Sequence, residues 1–223
     1  MKLEIIGTNS AFAKDGPTTS LMVWDNDGKG ILLDCGYPIF QYLGKLGYLD
    51  KIKAVLLSHT HQDHCGSAVT LAEYAFQVLG RPLMIGGVKW DKLLKLCDGD
   101  DYPEKVRLTD GSFTVESWEV PHAKGMECRA LLVNDKVLFS GDTAVSLLNT
   151  PQAKKARIII HGAHLKGMPN LVAVSKLGDA PAEIRTKTWL IHYLPADYEQ
   201  MAAAAQKYGL AGVVRPGMVF DDL

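Results

Sequence analysis

Residues 52–67, "IKAVLLSHTHQDHCGS", constrain this chain more than any other stretch. The first half is a nearly continuous apolar run, the pattern of a strand buried on both faces. That run ends directly in three histidines and an aspartate within six positions: His59, His61, Asp63 and His64. So many imidazole and carboxylate donors are poor material for a core, and strand ends of an α/β sheet are where sites are built. If the backbone stays extended, the side chains at 59, 61 and 63 project to one side. His64 then points elsewhere or enters the first turn of a following helix. This division suits two adjacent divalent ions, with His59 and His61 on one and Asp63 and His64 on the other. Zinc, iron(II) and manganese all accept this donor mixture.

Two ions need further ligands, and three residues at the ends of other apolar runs offer them. These are His122 in "VPHAKG", Asp142 in "FSGDT" and His192 in "LIHYLP". Each alone is unremarkable, since a histidine after a strand is commonly a surface residue and "SGDT" is a turn sequence. Their recurrence at strand ends is what makes them candidates.

The remaining pattern predicts a single domain over residues 1–223, α/β (α+β) in class, with a sheet core covered by helices. "KLEIIG", "SLMVW" and "GILLDCG" read as strands, the last two joined by the turn signal "NDGKG". Val69, Ala72, Phe76 and Leu79 recur at helical spacing before "GRP", and "PLMIGG" returns as a strand. Residues 88–98 read as a short helix and "CDGDDYP" as an exposed loop. "SFTVESWEV", "CRALLVN", "KVLFSGD", "ARIIIHG" and "KTWLIHY" follow as strands. "ADYEQMAAAAQKYG" is a helix, with Asp197 and Gln200 as a capping box and Gly209 as its stop. "VVRPGMVFDD" reads as a terminal strand and tail.

The HxHxDH motif followed by separated His, Asp and His resembles the metallo-β-lactamase superfamily of binuclear metallohydrolases. "LLDCG" before the cluster and "FSGDT" after it fit the same resemblance, which spans Met1 to about Phe220. It implies a four-layer αββα sandwich. It also implies that His59, His61 and His122 hold one ion, that Asp63, His64 and His192 hold the other, and that Asp142 bridges them. By the same resemblance Asp34 stands behind the ligands and orients them; its alternative is a plain turn residue before Cys35-Gly36. Two ions of this kind, zinc first, make hydroxide available between them near neutral pH. Asp63 then orients the nucleophile or carries a proton.

"IIGTNSAF" and "TKTWLIHY" look most like the branch containing ribonuclease Z and small cyclic-nucleotide phosphodiesterases, among them anti-Pycsar-type phage enzymes that destroy cyclic-nucleotide signals. Only twenty positions separate His122 from Asp142, which leaves no room for the tRNA-binding arm of ribonuclease Z. The resemblance therefore implies a small phosphodiester substrate such as a cyclic nucleotide. A lactonase or other ester hydrolase of the same fold is the alternative, as is a weakly active or non-enzymatic metal- or ligand-binding member. One departure stands out: Gly162 falls near the position of a Glu that ribonuclease Z-like enzymes pair with a later His. His164 or His161 is the candidate substitute general acid, the alternative being that both are ordinary strand-end histidines, and His164 is taken as catalytic beside Asp63. Lys124 and Lys166 follow site loops and are weaker phosphate contacts, while Lys154, Lys155 and Arg157 read as a solvated turn.

A net charge of −1 gives no general attraction to nucleic acid or anionic membrane, so neither an extended nucleic-acid surface nor a membrane partner is expected. No apolar stretch reaches spanning length, and "MKLEIIGTNSAF" lacks the apolar stretch and small-residue cleavage site of a signal peptide, so none is expected. Cys35, Cys65, Cys97 and Cys128 lack CxxC spacing and read as reduced thiols of a cytoplasmic protein. Analogy with the branch leans towards a homodimer.

Overall fold

The computed structural model describes residues 1–88 and 112–223. The expected helix at 88–98 and loop at 97–103 lie almost wholly outside the described residues.

Among the described residues, two six-stranded sheets face each other. The first contains β1 (Lys2–Gly7), β2 (Ser20–Trp24), β3 (Gly30–Leu33), β4 (Ile52–Leu57), β5 (Met84–Gly87) and β12 (Val219–Phe220), in the order β12-β1-β2-β3-β4-β5. The second contains β6 (Val115–Glu119), β7 (Arg129–Val133), β8 (Val137–Phe139), β9 (Ile158–Gly162), β10 (Thr188–Ile191) and β11 (Gly212–Val213), in the order β11-β10-β9-β8-β7-β6. The C-terminal segment is thus two short strands in different sheets, with β12 pairing antiparallel to β1. Asn134 and Asp135 join β7 to β8 with φ of 52° and 54°, the left-handed pair that a tight hairpin turn demands.

Side-chain alternation divides each strand between two cores. Leu3, Ile5, Leu21, Val23, Ile31, Leu33, Ala54 and Leu56 face the other sheet. There they meet Leu131, Val133, Val137, Phe139, Ile158, Ile160 and Ile191. Their neighbours in sequence, Met22, Leu32, Val55 and Leu57, pack outward under α1 (Ile39–Leu46) and α3 (Ala68–Gln77). Leu132, Leu138, Ile159 and Leu190 pack outward against α5 (Val174–Leu177), α6 (Ala182–Arg185) and α7 (Tyr198–Lys207). Strands buried on both faces explain why "VLL" and "III" runs replace polar alternation. The result is the αββα sandwich, with α4 (Pro151–Lys155) capped by Thr150 Oγ1, which accepts from the Ala153 amide at 3.2 Å.

Three local expectations are corrected. The backbone does not stay extended to Asp63, because α2 (Gln62–Cys65) begins one residue earlier and carries Asp63 and His64 on a helical turn. The "GILLDCG" strand ends at Leu33, since Asp34 takes φ of 61° and turns the chain out of the sheet. Asp197 precedes α7 but makes no side-chain capping bond, because it closes a 3-10 turn over Pro195–Asp197 with helical backbone angles. Gly209, at φ of 66°, ends that helix as expected.

Gly36 joins the fold to the histidine cluster, because an added Cβ there would sit 1.8 Å from the Asp63 carbonyl oxygen. Gly36→Ala is expected to destabilise the protein by more than about 2 kcal/mol, as backbone clashes in a buried crossing do. An unchanged thermal unfolding midpoint would contradict that packing.

Candidate metal centre

Asp34 and the seven expected ligands lie just beyond strands, and the parallel pairs β3·β4 and β8·β9·β10 aim those ends to one rim of the sandwich. Asp34 follows β3; His59, His61, Asp63 and His64 follow β4; His122 follows β6; Asp142 follows β8; His192 follows β10. Each sheet therefore supplies part of the site. His59, Asp63, His64, Asp142 and His192 are buried.

Two groups of donors form. In the first, His61 Nδ1 lies 2.9 Å from His59 Nε2 and 3.2 Å from His122 Nε2. In the second, Asp63 Oδ2 lies 3.1 Å from His192 Nε2 and 3.3 Å from His64 Nε2. Asp142 Oδ2 sits between them, 3.3 Å from His192, 3.7 Å from His64 and 3.9 Å from His122.

Hydrogen bonds behind the rings fix which nitrogen faces inward. The Ser58 hydroxyl donates its one hydrogen to Asp34 Oδ2 at 2.7 Å, since the carboxylate only accepts. His59 Nδ1, 3.0 Å from Ser58 Oγ, must then be the donor to that hydroxyl oxygen. Its Nε2 lone pair is left facing the cluster. His64 Nδ1 donates to Asp34 Oδ2 at 2.6 Å and His122 Nδ1 to the Asn170 carbonyl at 2.7 Å, so their Nε2 atoms also turn inward. Sequence reasoning missed Ser58 and Asn170. A hydroxyl between a buried strand and a ligand histidine was a readable signal for the first, whereas a main-chain carbonyl forty-eight residues from its partner leaves none.

The electrostatics suit cation binding. Burial, followed by the neighbouring rings of His64 and His122, holds His59 well below the ordinary histidine range; burial and His122 lower His61 likewise. Both rings are thereby neutral, as ligation requires. Burial opposes charge on His64, but Asp142, Asp34 and Asp63 outweigh it and raise this ring well above the usual value. Burial also disfavours ionised Asp63, but the His192 hydrogen bond and the His64 ring 3.3 Å away overcome it and hold the carboxyl far below the usual range. These aspartates favour positive charge at the His64 Nε2 edge, which a divalent ion supplies in competition with a proton.

The donor set fits divalent metal. Among the described residues His64 Nε2 and Asp142 Oδ1 are buried without a hydrogen-bond partner, and the potential ligand atoms fall into three sets, each within 4.8 Å: His59-His61-His122, His59-His64-Asp142 and Asp63-His64-His192. Burial pushes the Cys65 and Cys128 thiols up to about 12, and Cys35 well above its usual value, so neutral thiols rather than thiolates stand near the site.

The two general-acid candidates separate. His161 is fully buried, with Nε2 accepting from the Leu147 amide at 3.2 Å and Nδ1 donating to the Gly162 carbonyl at 2.7 Å. It has no path to a substrate. His164 lines the cleft beside Asp63, Asp142 and His192, and accepts from the Lys166 amide through Nδ1 at 3.3 Å. Gly162 has a steric reason: an added Cβ would lie 2.8 Å from the Gly141 carbonyl and 3.4 Å from Asp142 Oδ1. A glutamate there would press on the loop that places Asp142. Lys124, Lys166, Lys154, Lys155 and Arg157 are exposed, and none lines the cleft.

The family model described as "Anti-Pycsar protein Apyc1" matches residues 1–85 and 77–220. An Anti-Pycsar protein Apyc1 of Saccharibacillus brassicae is 30% identical, over 86% of this chain and 90% of its own. One from Bacillus phage BSP38 is 35% identical, over 86% and 88%. The crystal structure of the metallo-β-lactamase fold protein YhfI from Bacillus subtilis superposes with a TM-score of 0.78 at 19% identity, covering 98% of each chain.

Two measurements check this geometry. Asp34→Asn is expected to weaken metal affinity by about 10–100-fold, the usual cost of losing a partner that orients ligand imidazoles; unchanged affinity would remove Asp34 from that role. The second uses acid. Burial lowers His161 from 6.5 to about 4, so the unfolded chain takes up its proton first and stability falls as pH drops through that window. The loss is about 3 kcal/mol, and His161→Gln should flatten this part of the acid-unfolding profile. An unaltered profile would contradict the neutral buried ring.

Proposed function

The chain belongs to the Anti-Pycsar protein Apyc1 family and is a metal-dependent hydrolase, and from that premise we propose that it is a binuclear phosphodiesterase acting on a small cyclic nucleotide. The observation that carries the reading is Asp142. Its carboxylate lies between two donor groups, with His59, His61 and His122 on one side and Asp63, His64 and His192 on the other. This is where a bridging ligand belongs. Five of the seven, His61, Asp63, His122, Asp142 and His192, line a cleft of about 550 Å³, large enough for a mononucleotide, with His59 and His64 buried behind them.

Divalent ions held there, zinc first and manganese or iron(II) next, supply Lewis acidity that lowers the pKa of water and offsets charge on phosphate oxygens. The chain's own residues do the rest. Asp63 stays ionised through its contacts with His192 and His64, and can orient a water or accept its proton. Asp34, Ser58 and the Asn170 carbonyl hold three rings in one tautomer, so binding costs little reorganisation. His164, with Nδ1 occupied by the Lys166 amide, presents its other nitrogen for protonating the leaving oxygen. With no glutamate partner of the kind found in ribonuclease Z-like enzymes, poor leaving groups such as a ribose oxygen depend on His164 alone.

A second reading, a lactonase, draws on the apolar walls formed by Leu165, Leu171 and Leu194. The reading includes a cytoplasmic enzyme with a small-molecule substrate and a homodimeric assembly. Support for the location comes from Cys35, Cys65 and Cys128, which are buried free thiols. Among the described residues no helix is long and apolar enough to cross a membrane.

The test is a panel of bis(p-nitrophenyl) phosphate, cyclic mononucleotides and acyl lactones, assayed with defined metals. Phosphodiester turnover that disappears on chelation and returns with metal is expected. Lactone turnover without phosphodiester turnover would overturn the proposal. His164→Ala should slow poor leaving groups at least about tenfold more than p-nitrophenolate, as loss of a general acid does.

A further inference from the structure

The cleft above the metal centre has two kinds of wall. Its base carries the histidines and aspartates; its rim carries Phe12, Met168 and Leu194, which are 90%, 51% and 37% exposed. Leaving three large apolar side chains in water around one opening gains nothing for folding, and rimmed apolar surface of this kind marks a binding site.

Phe12 is the extreme case, and its loop is built rather than loose. The Ser10 amide donates to the Tyr193 carbonyl at 3.2 Å, one residue beyond His192. The Ala13 amide closes a turn on the Ser10 carbonyl at 3.2 Å, and Asn9 Nδ2 donates to the Asp15 carbonyl at 2.6 Å. The Thr19 amide returns to the Asn9 carbonyl at 2.9 Å. A phenyl ring is thereby held at the mouth of the cleft with its faces free.

Asp197 lines the same cleft and is half-buried. It stands at the start of α7 without capping it, and no hydrogen bond or ion pair from the described residues engages its carboxylate. Among the described residues neither lysine nor arginine lines the cleft. Among these walls the metal side is the one that attracts the negative charge of a phosphodiester, which leaves Phe12 and Asp197 for the uncharged remainder of a substrate.

We propose that Phe12 and Asp197 determine specificity: the Phe12 ring stacks on a planar group carried by the phosphodiester, and the Asp197 carboxylate accepts hydrogen bonds from N–H donors on that group. The inference rests on the phosphodiesterase reading and assigns the wall opposite the reacting phosphate. Ring stacking tolerates any planar base, whereas a carboxylate acceptor rejects a base that offers no donor and would leave the acid desolvated.

The experiment measures equilibrium binding of two non-hydrolysable 3′,5′-cyclic phosphorothioates to the metal-loaded protein by calorimetry. One carries adenine, and the other carries unsubstituted purine, which lacks the exocyclic amine. The protein is expected to prefer the adenine probe by about tenfold, the scale of a hydrogen bond to a charged group. Asp197→Ala should abolish that preference. Phe12→Ala should weaken both probes equally, by about tenfold, and Phe12→Trp should restore them. Metal content and unfolding midpoint equal to those of the unsubstituted protein establish that each variant is folded. Equal affinity for the two probes, a preference that survives Asp197→Ala, or unchanged affinity in Phe12→Ala overturns the assignment. Turnover of bis(p-nitrophenyl) phosphate by the unsubstituted protein reads the phosphodiesterase proposal separately, because binding is scored without catalysis.

Discussion

The buried carboxylate of Asp34 accepts from the Ser58 amide at 2.6 Å, the Ser58 hydroxyl at 2.7 Å and His64 Nδ1 at 2.6 Å. Much of the molecule hangs on this arrangement. The first bond ties the end of β3 to the end of β4. The second passes through a hydroxyl to His59, and the third holds His64 directly. Burial pushes this carboxyl up, with His64 and the Ser58 bonds pulling it back. An acid so placed is tolerable only while its partners stay, so the same network that aims the ligands also pins two strands.

Strand polarity does the remaining assembly. The parallel strands of both sheets deliver their ends to one rim, and each end is left in a turn where a polar side chain can leave the core. Asp34 and His192 pay for this with φ of 61° and 67°, a strain that persists because packing and hydrogen bonds around them over-determine the backbone. Gly162 and Gly36 make room where loops press against strands or turns. The centre is thus built from backbone direction as much as from side chains.

Much of this was legible in the sequence. The strands were readable because burial on both faces writes uninterrupted apolar runs, and the residues of the candidate centre were readable because each interrupts such a run at its end. Asp34 was ambiguous for a physical reason: it is both a turn residue and a buried hydrogen-bond acceptor, and sequence makes these look like alternatives. Asp63 was placed on the right cluster but by the wrong backbone, since a four-residue helical turn has too few residues for periodicity to register. The Asp197 cap failed because a preceding proline turn took its backbone out of cap geometry. Gly162 looked like a missing catalytic residue and has a steric role that only the neighbouring Asp142 loop reveals.

The central claim is that these seven residues form two metal positions sharing Asp142. Calorimetric titration of zinc into protein stripped by chelator tests it most directly. The account predicts about two ions per chain, with Asp142→Ala weakening both. A single ion per chain in a protein that still hydrolyses phosphodiesters would contradict it.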